Sequence, residues 1–200
     1  MFFSINEVLD VVIMTLAIGF IFKDTFMPRR PRVVDTENYD PVAYYRSMGS
    51  RYDMGGFVLA IIITAPAILF HELGHKLIAL GYGLSAEFHA AYFWLLIGIV
   101  LKLLNFGFIF FVPAYVSISG MSTPLQSSMI ALAGPAVNFV LFIVPFILMK
   151  NKAFVKHYKK YLAVVFMTSR INLFLFIFNM LPIPMFDGWT VYSGLIKTFF

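Results

Sequence analysis

The stretch FVLAIIITAPAILFHELGHKLIAL, Phe57 to Leu80, is an apolar run long enough to cross a bilayer, and it contains His71-Glu72-Leu73-Gly74-His75. An HExxH pattern sets two imidazoles one helical turn apart on the same face. A single zinc ion can take both at that spacing, and the glutamate between them can act as general base toward water. Such a pair belongs on water-facing helices in most settings, so the rest of the chain has to account for its apolar surroundings.

Composition fixes the solvent. Of 200 residues, 60% are hydrophobic and only 12% charged, with a mean hydropathy of +0.86. Soluble domains carry roughly 25% charged residues, so the chain reads as a polytopic, integral membrane protein, expected in the cell membrane. The absence of cysteine excludes disulfides, thiolate zinc ligands and a cysteine nucleophile. The net charge of +5 comes from clusters at the ends of apolar segments, which suits contact with the lipid bilayer. No basic face interleaved with aromatics points to nucleic acid.

Five apolar segments punctuate the chain. Ile5 to Phe22 is the first span; it carries Glu7 and Asp10 and lacks the basic start of a secretory leader. Lys23 to Gly56 is a polar stretch with six bases and five acids, expected as a solvated loop with a short amphipathic piece near Tyr44 and Tyr45. Phe57 to Leu80 follows. Tyr92 to Val112 is interrupted by Lys102, Asn105 and Gly107, and a lysine deep in a span costs about 2.5–3.5 kcal/mol. Next to it Ala114 to Ser119 alternates like a strand, with Val116 and Ile118 on one face. Phe88 to Gly120 is therefore either a re-entrant or membrane-embedded hairpin or a fifth helix with Lys102 snorkelling. Met129 to Met149 and Tyr161 to Leu181 are full spans, joined by a loop with five lysines between Lys150 and Lys160. The expected fold is an all-α polytopic membrane protein of about four to five transmembrane helices plus a strand segment. Residues 1–56 form the first segment and polar loop, and 57–200 the membrane core.

A catalytic zinc takes three protein ligands, so a third must lie elsewhere. Glu7, Asp10, Glu87 and the acids from Asp24 to Asp53 are candidates. Asp187 stands apart as the one acid after Glu87, in an apolar neighbourhood where an ionised carboxylate is costly unless paired or metal-bound. Pro182 and Pro184 break the helix before it, and Gly188 allows close backbone approach. Asp187 is the expected third ligand.

HELGH in one span and Asn179-Met-Leu-Pro-Ile-Pro-Met-Phe-Asp187-Gly188 in a later one resemble the two signature motifs of the site-2 protease family of intramembrane zinc metalloproteases. Ala133-Gly134-Pro135-Ala136-Val137-Asn138 between them resembles that family's Gly-Pro-x-x-Asn segment. The resemblance covers roughly Phe57 to Leu195. It implies one zinc per chain on His71, His75 and Asp187, with Glu72 as base, and Asn138 and Asn179 holding the site or the substrate backbone. It also implies a substrate that is itself a transmembrane segment. Tyr115, Val116 and Ser117, in the strand-like stretch, would offer an edge for such a substrate once it unwinds. Related proteases carry a glycine in this strand, which Val112-Pro113-Ala114-Tyr115 lacks. About a dozen residues follow Gly188, so neither a C-terminal gating helix nor an appended PDZ-like or nucleotide-sensing domain is expected.

Two other classes use the same residues. One is a non-proteolytic zinc-binding scaffold, which would need the ligands but not Glu72. The other is a small transporter with Asp187, Arg170 and the histidines as a polar pathway. His89 and His157 read as interfacial rather than as ligands. The basic loops place one face in the cytosol by the positive-inside rule, whereas the family resemblance implies the opposite facing.

Overall fold

The computed structural model describes residues 3–26, 54–106 and 112–200; most of the polar stretch, including the piece expected near Tyr44 and Tyr45, lies outside the described residues. Helix α1 (Ile5–Phe22) starts at a reciprocal cap: Ser4 Oγ accepts from the Glu7 N–H, and the Glu7 carboxylate accepts from the Ser4 N–H. Helix α2 (Met54–Gly81) carries HExxH near its C-terminal end, with Pro66 in its interior. Strand β1 (Ser85–Ala90), helix α3 (Tyr92–Leu103) and strand β2 (Ala114–Ser119) follow, and the two strands pair antiparallel. Helix α4 (Pro124–Lys150) begins with a second reciprocal cap, Thr123 with Gln126, and with proline at its first position. A short α5 (Lys152–His157), a 3₁₀ turn, α6 (Leu162–Asn179) and α7 (Asp187–Phe199) complete the described residues.

Among the described residues four helices are long and apolar enough to cross a membrane: α1, α2, α4 and α6 with its preceding turn. Helix α3 is not one of them. Its 12 residues reach about 18 Å, short of the roughly 30 Å hydrocarbon core. Lys102 sits in its last turn and pairs with Asp24 beyond the end of α1. The hairpin expected over Phe88 to Gly120 is thus two paired strands with a helix inserted between them. Its first strand starts three residues earlier than that range.

Packing is inverted relative to a water-soluble protein. Large apolar side chains such as Val12, Val140, Val144 and Ile177 face outward, while Glu72, Lys76, Asn138, Ser128 and Asn172 are buried. That pattern suits hydrocarbon surroundings, where polar groups find partners only inside the bundle. Helices α2 and α4 form the centre, with α1 and the sheet on one side and α6 and α7 on the other. Their backbones approach closely at Gly74, where a Cβ would lie 2.8 Å from the Ala133 carbonyl oxygen. Only glycine admits that contact. Met14, Ile18, Ile68, Phe88, Leu95 and Ala114 form the main apolar cluster, which cements α1, α2, α3 and the sheet.

Candidate metal centre

The two histidines of α2 are each fixed by their Nδ1 atoms. His75 Nδ1 lies 2.7 Å from the Ile130 carbonyl oxygen of α4. A carbonyl can only accept, so Nδ1 carries the hydrogen and Nε2 keeps a lone pair. His71 Nδ1 lies 2.5 Å from Asn138 Oδ1. The orientation of that amide follows from its other partners: Asn138 Nδ2 donates to the Ala67 carbonyl at 3.0 Å and to Asn172 Oδ1 at 2.8 Å. Asn172 Nδ2 in turn donates to the Thr168 carbonyl at 2.8 Å. The chain of donors runs from backbone carbonyls to His71, and it leaves His71 Nε2 as an acceptor too.

These two lone pairs and a carboxylate converge. The Nε2 atoms are 3.1 Å apart, and Asp187 Oδ2 stands 3.1 Å from His71 Nε2 and 3.4 Å from His75 Nε2. Three acceptors so placed call for a cation among them. Ligands at 2.0–2.1 Å from a tetrahedral zinc are about 3.3–3.4 Å from one another, close to the three edges here. Gly134 of α4 lies directly beside the group. A Cβ there would come within 2.7 Å of His71 Nε2 and closer still to the His75 ring. The missing side chain leaves the room that an ion needs, so the donor set and the space both fit zinc.

Asp187 opens α7 after the proline-interrupted turn. Met185, two residues before it, has φ +83°, a left-handed conformation rare for a bulky side chain and a form of strain met at functional sites. Burial pushes the Asp187 carboxyl upward, but the two imidazoles beside it outweigh that and hold it at about 2, so it is an anion. Glu72 is buried beside the triad and has no hydrogen-bond partner among the described residues. Its carboxylate lines the same cavity, of about 450 Å³, as all three acceptors.

One wall of that cavity is β2. Ala91, just past β1, donates to the Pro113 carbonyl at 3.0 Å, which fixes the parity of the antiparallel ladder. Ser85, Glu87 and His89 exchange bonds with β2, whereas Ala86, Phe88 and Ala90 direct their backbone groups away from it. Opposite those three, Ala114, Val116 and Ile118 direct their N–H and C=O groups to the outer edge of β2. All three line the cavity. Phe174, Leu175 and Phe178 of α6 form an apolar wall, with Asn179 at its end.

The expected site residues therefore divide. His71, Glu72, His75, Asp187, Asn179, Tyr115 and Val116 share the cavity. Asn138 is wholly buried with its amide committed to His71, Ala67 and Asn172, so it holds the His71 ring and has no polar group turned to the cavity. Ser117 is absent from the cavity wall; its hydroxyl pairs with His89 Nε2 at 3.0 Å on the other face of the sheet. Glu7, Asp10, Glu87 and Asp24 lie outside the triad. Glu7 pairs with Lys76, Asp10 with the Tyr92 hydroxyl, whose pKa that bond raises, and Asp24 with Lys102. Arg170 is exposed and lies over the Phe166 ring, so it makes no polar contact at the site. His157 meets the Tyr158 ring edge to face and is likewise exposed. Asn172 joins the site from α6 without having been singled out; its signal in the sequence is a polar residue within an apolar span.

Comparison with known proteins yields one informative relative. A protein of Methanocaldococcus jannaschii, provisionally named a zinc metalloprotease, is 37% identical over 187 residues, which cover 93% of this chain and 83% of the relative. No family profile and no solved structure matches the chain.

Proposed function

Because the chain belongs to the same family as this archaeal zinc metalloprotease, we propose that it is a site-2-type intramembrane zinc endopeptidase that cleaves transmembrane segments of other proteins. In this reading it is a multi-pass protein of the cell membrane holding one zinc on His71, His75 and Asp187. The observation that carries the proposal is one cavity that joins three convergent acceptors with a glutamate and a strand edge that, among the described residues, have no hydrogen-bond partner.

Bound zinc would supply Lewis acidity, polarising a peptide carbonyl and making water acidic enough to lose a proton near neutral pH. The chain's own residues do the rest. Glu72, buried and without a competing hydrogen bond, accepts the proton from the attacking water and returns it to the leaving amine. A helical substrate hides its carbonyls in i to i−4 bonds and must unwind before attack. The outward N–H and C=O groups of Ala114, Val116 and Ile118 can take up the exposed backbone as a third antiparallel or parallel strand. Asn179 stands where it can donate to a substrate carbonyl, and Phe174 and Phe178 exclude bulk water. Asn138 keeps His71 in the tautomer that binds metal.

A scaffold would have no use for an unpaired carboxylate beside the metal, and burying one is costly. A transporter would need a polar path, whereas Arg170 points away from the site. The test is cleavage of a membrane-tethered peptide by purified protein in liposomes, wild type against Glu72→Gln. Loss of cleavage by about 10²–10⁴-fold with zinc content unchanged is expected. Equal cleavage by both proteins would overturn the proposal.

A further inference from the structure

The sheet has two outer edges, and only one faces the cavity. The other, on β1, is covered by α1, and a single side chain makes the closure. Glu7 Oε1 accepts the outward N–H of Phe88 at 2.7 Å, at the middle of the β1 edge. The same oxygen takes the Lys76 ammonium, and Oε2 accepts the Ser4 N–H at 2.8 Å. Lys76 follows the metal ligand His75 directly in α2. Both charged side chains are almost fully withdrawn from solvent, at 4% for Glu7 and 2% for Lys76. One turn later on α1, Asp10 holds the Tyr92 hydroxyl and stands 3.6 Å from His89 Nδ1. The acids of α1 thus run along β1: Glu7 ties it to α2, and Asp10 ties it to the start of α3.

We propose that Glu7 is a positioning residue that seals the β1 edge and sets β2 at a fixed place beside the metal ligands, so that a substrate strand adds at one edge and in one register. The inference rests on the proposed strand addition. A buried ion pair of this kind is retained despite its desolvation cost, and register control is the best-attested use of such pairs. A sheet that shifts against α2 would present a different backbone group of β2 to the zinc ligands. Because side chains alternate, the tolerated slip is two residues, and the scissile bond moves with it.

The experiment compares wild type, Glu7→Met and Glu7→Gln in liposomes on one transmembrane substrate. It measures products by mass spectrometry, KM and kcat separately, and zinc per chain. Glu7→Met removes both the acceptor for Phe88 and the partner of Lys76. It is expected to spread cleavage to bonds two residues away and to raise KM about tenfold, with zinc retained. Glu7→Gln keeps an acceptor for Phe88. It is expected to keep the wild-type bond with KM raised severalfold, and it decides the matter where Glu7→Met does not fold. Wild-type products and KM in either folded variant overturn the inference, as does activity that falls only in step with zinc content. A wild type that cleaves no substrate refutes the proposed function itself, and this inference with it.

Discussion

Gly134→Ala should abolish zinc binding while leaving the helix that carries it intact. The added methyl would sit 2.7 Å from His71 Nε2 and nearer to the His75 ring, where ordinary contact begins at 3.4 Å. His71 must therefore retreat by 0.7 Å or more, and His75 further. Neither ring can do so without breaking its Nδ1 bond, to Asn138 Oδ1 at 2.5 Å or to the Ile130 carbonyl at 2.7 Å. Losing such a supporting partner costs about 10–100-fold in metal affinity. Two losses give about 10²–10⁴-fold, or roughly 3–5.5 kcal/mol, before counting the volume taken from the ion. Against this, replacing glycine by alanine in a helix interior favours the helix by about 1 kcal/mol. The smaller effect acts on folding and the larger on the metal, so the two separate. Zinc per chain after gel filtration, followed by titration against a chromogenic chelator, measures the first quantity, and helical circular dichroism of the metal-free protein checks the second. A variant with wild-type zinc content and an affinity within threefold of wild type would refute the placement of the metal beside Gly134.

Asp187→Ala removes one of three ligands and should leave substoichiometric zinc; full occupancy in that variant would exclude the carboxylate as a ligand. Asn138→Leu should weaken zinc by about 10–100-fold, and Asn172→Leu by less, because Asn172 acts only through the Asn138 amide. The reverse order in a competition titration would contradict the donor chain. On acidification, Asp187 behaves as a carboxyl depressed in the folded state. Its contribution is present above its ordinary value of 3.8 and is lost only as pH falls through about 2. Between pH 7 and 5 the carboxylate should therefore stay charged, so Asp187→Asn should leave the shape of the zinc-release curve in that range unchanged while lowering affinity throughout. A curve that changes shape in that range would show that the carboxylate titrates there.

The meeting of His71 and His75 was legible because helical periodicity alone places residues i and i+4 together. Asp187 was legible for a different reason: a lone acid in an apolar neighbourhood demands a partner wherever the chain leads it. Strand β2 showed through its alternation. Strand β1 carries the same signal, with Ala86, Phe88 and Ala90 inward and Ser85, Glu87 and His89 outward, but its small residues blur the contrast. Glu7 was visible as a charge inside a span, yet its partner Lys76 lies 69 residues away. No local pattern encodes a contact of that range. Gly134 looked like part of a motif, and its role emerged only when α4 was laid against α2. Asn138 was ambiguous in sequence because a buried amide can serve a ligand or a substrate equally well, and only its three partners decide.

The outer edge of β2 has a consequence for which substrates would be cut. Among the described residues the outward backbone groups of Ala114, Val116 and Ile118 have no partner, and hydrocarbon would offer none. On the proposed reaction, water is the partner that a substrate strand would replace at that edge. A substrate strand exchanges peptide for water there, and such an exchange contributes only about 0.5–1.5 kcal/mol per bond. That is too little to choose among sequences. The larger difference between candidates is the work of opening their own helices, which falls sharply at glycine and proline. On the proposed reaction, then, the enzyme judges how readily a helix frays rather than which side chains it carries. A glycine moved stepwise along one substrate should carry the cleavage with it.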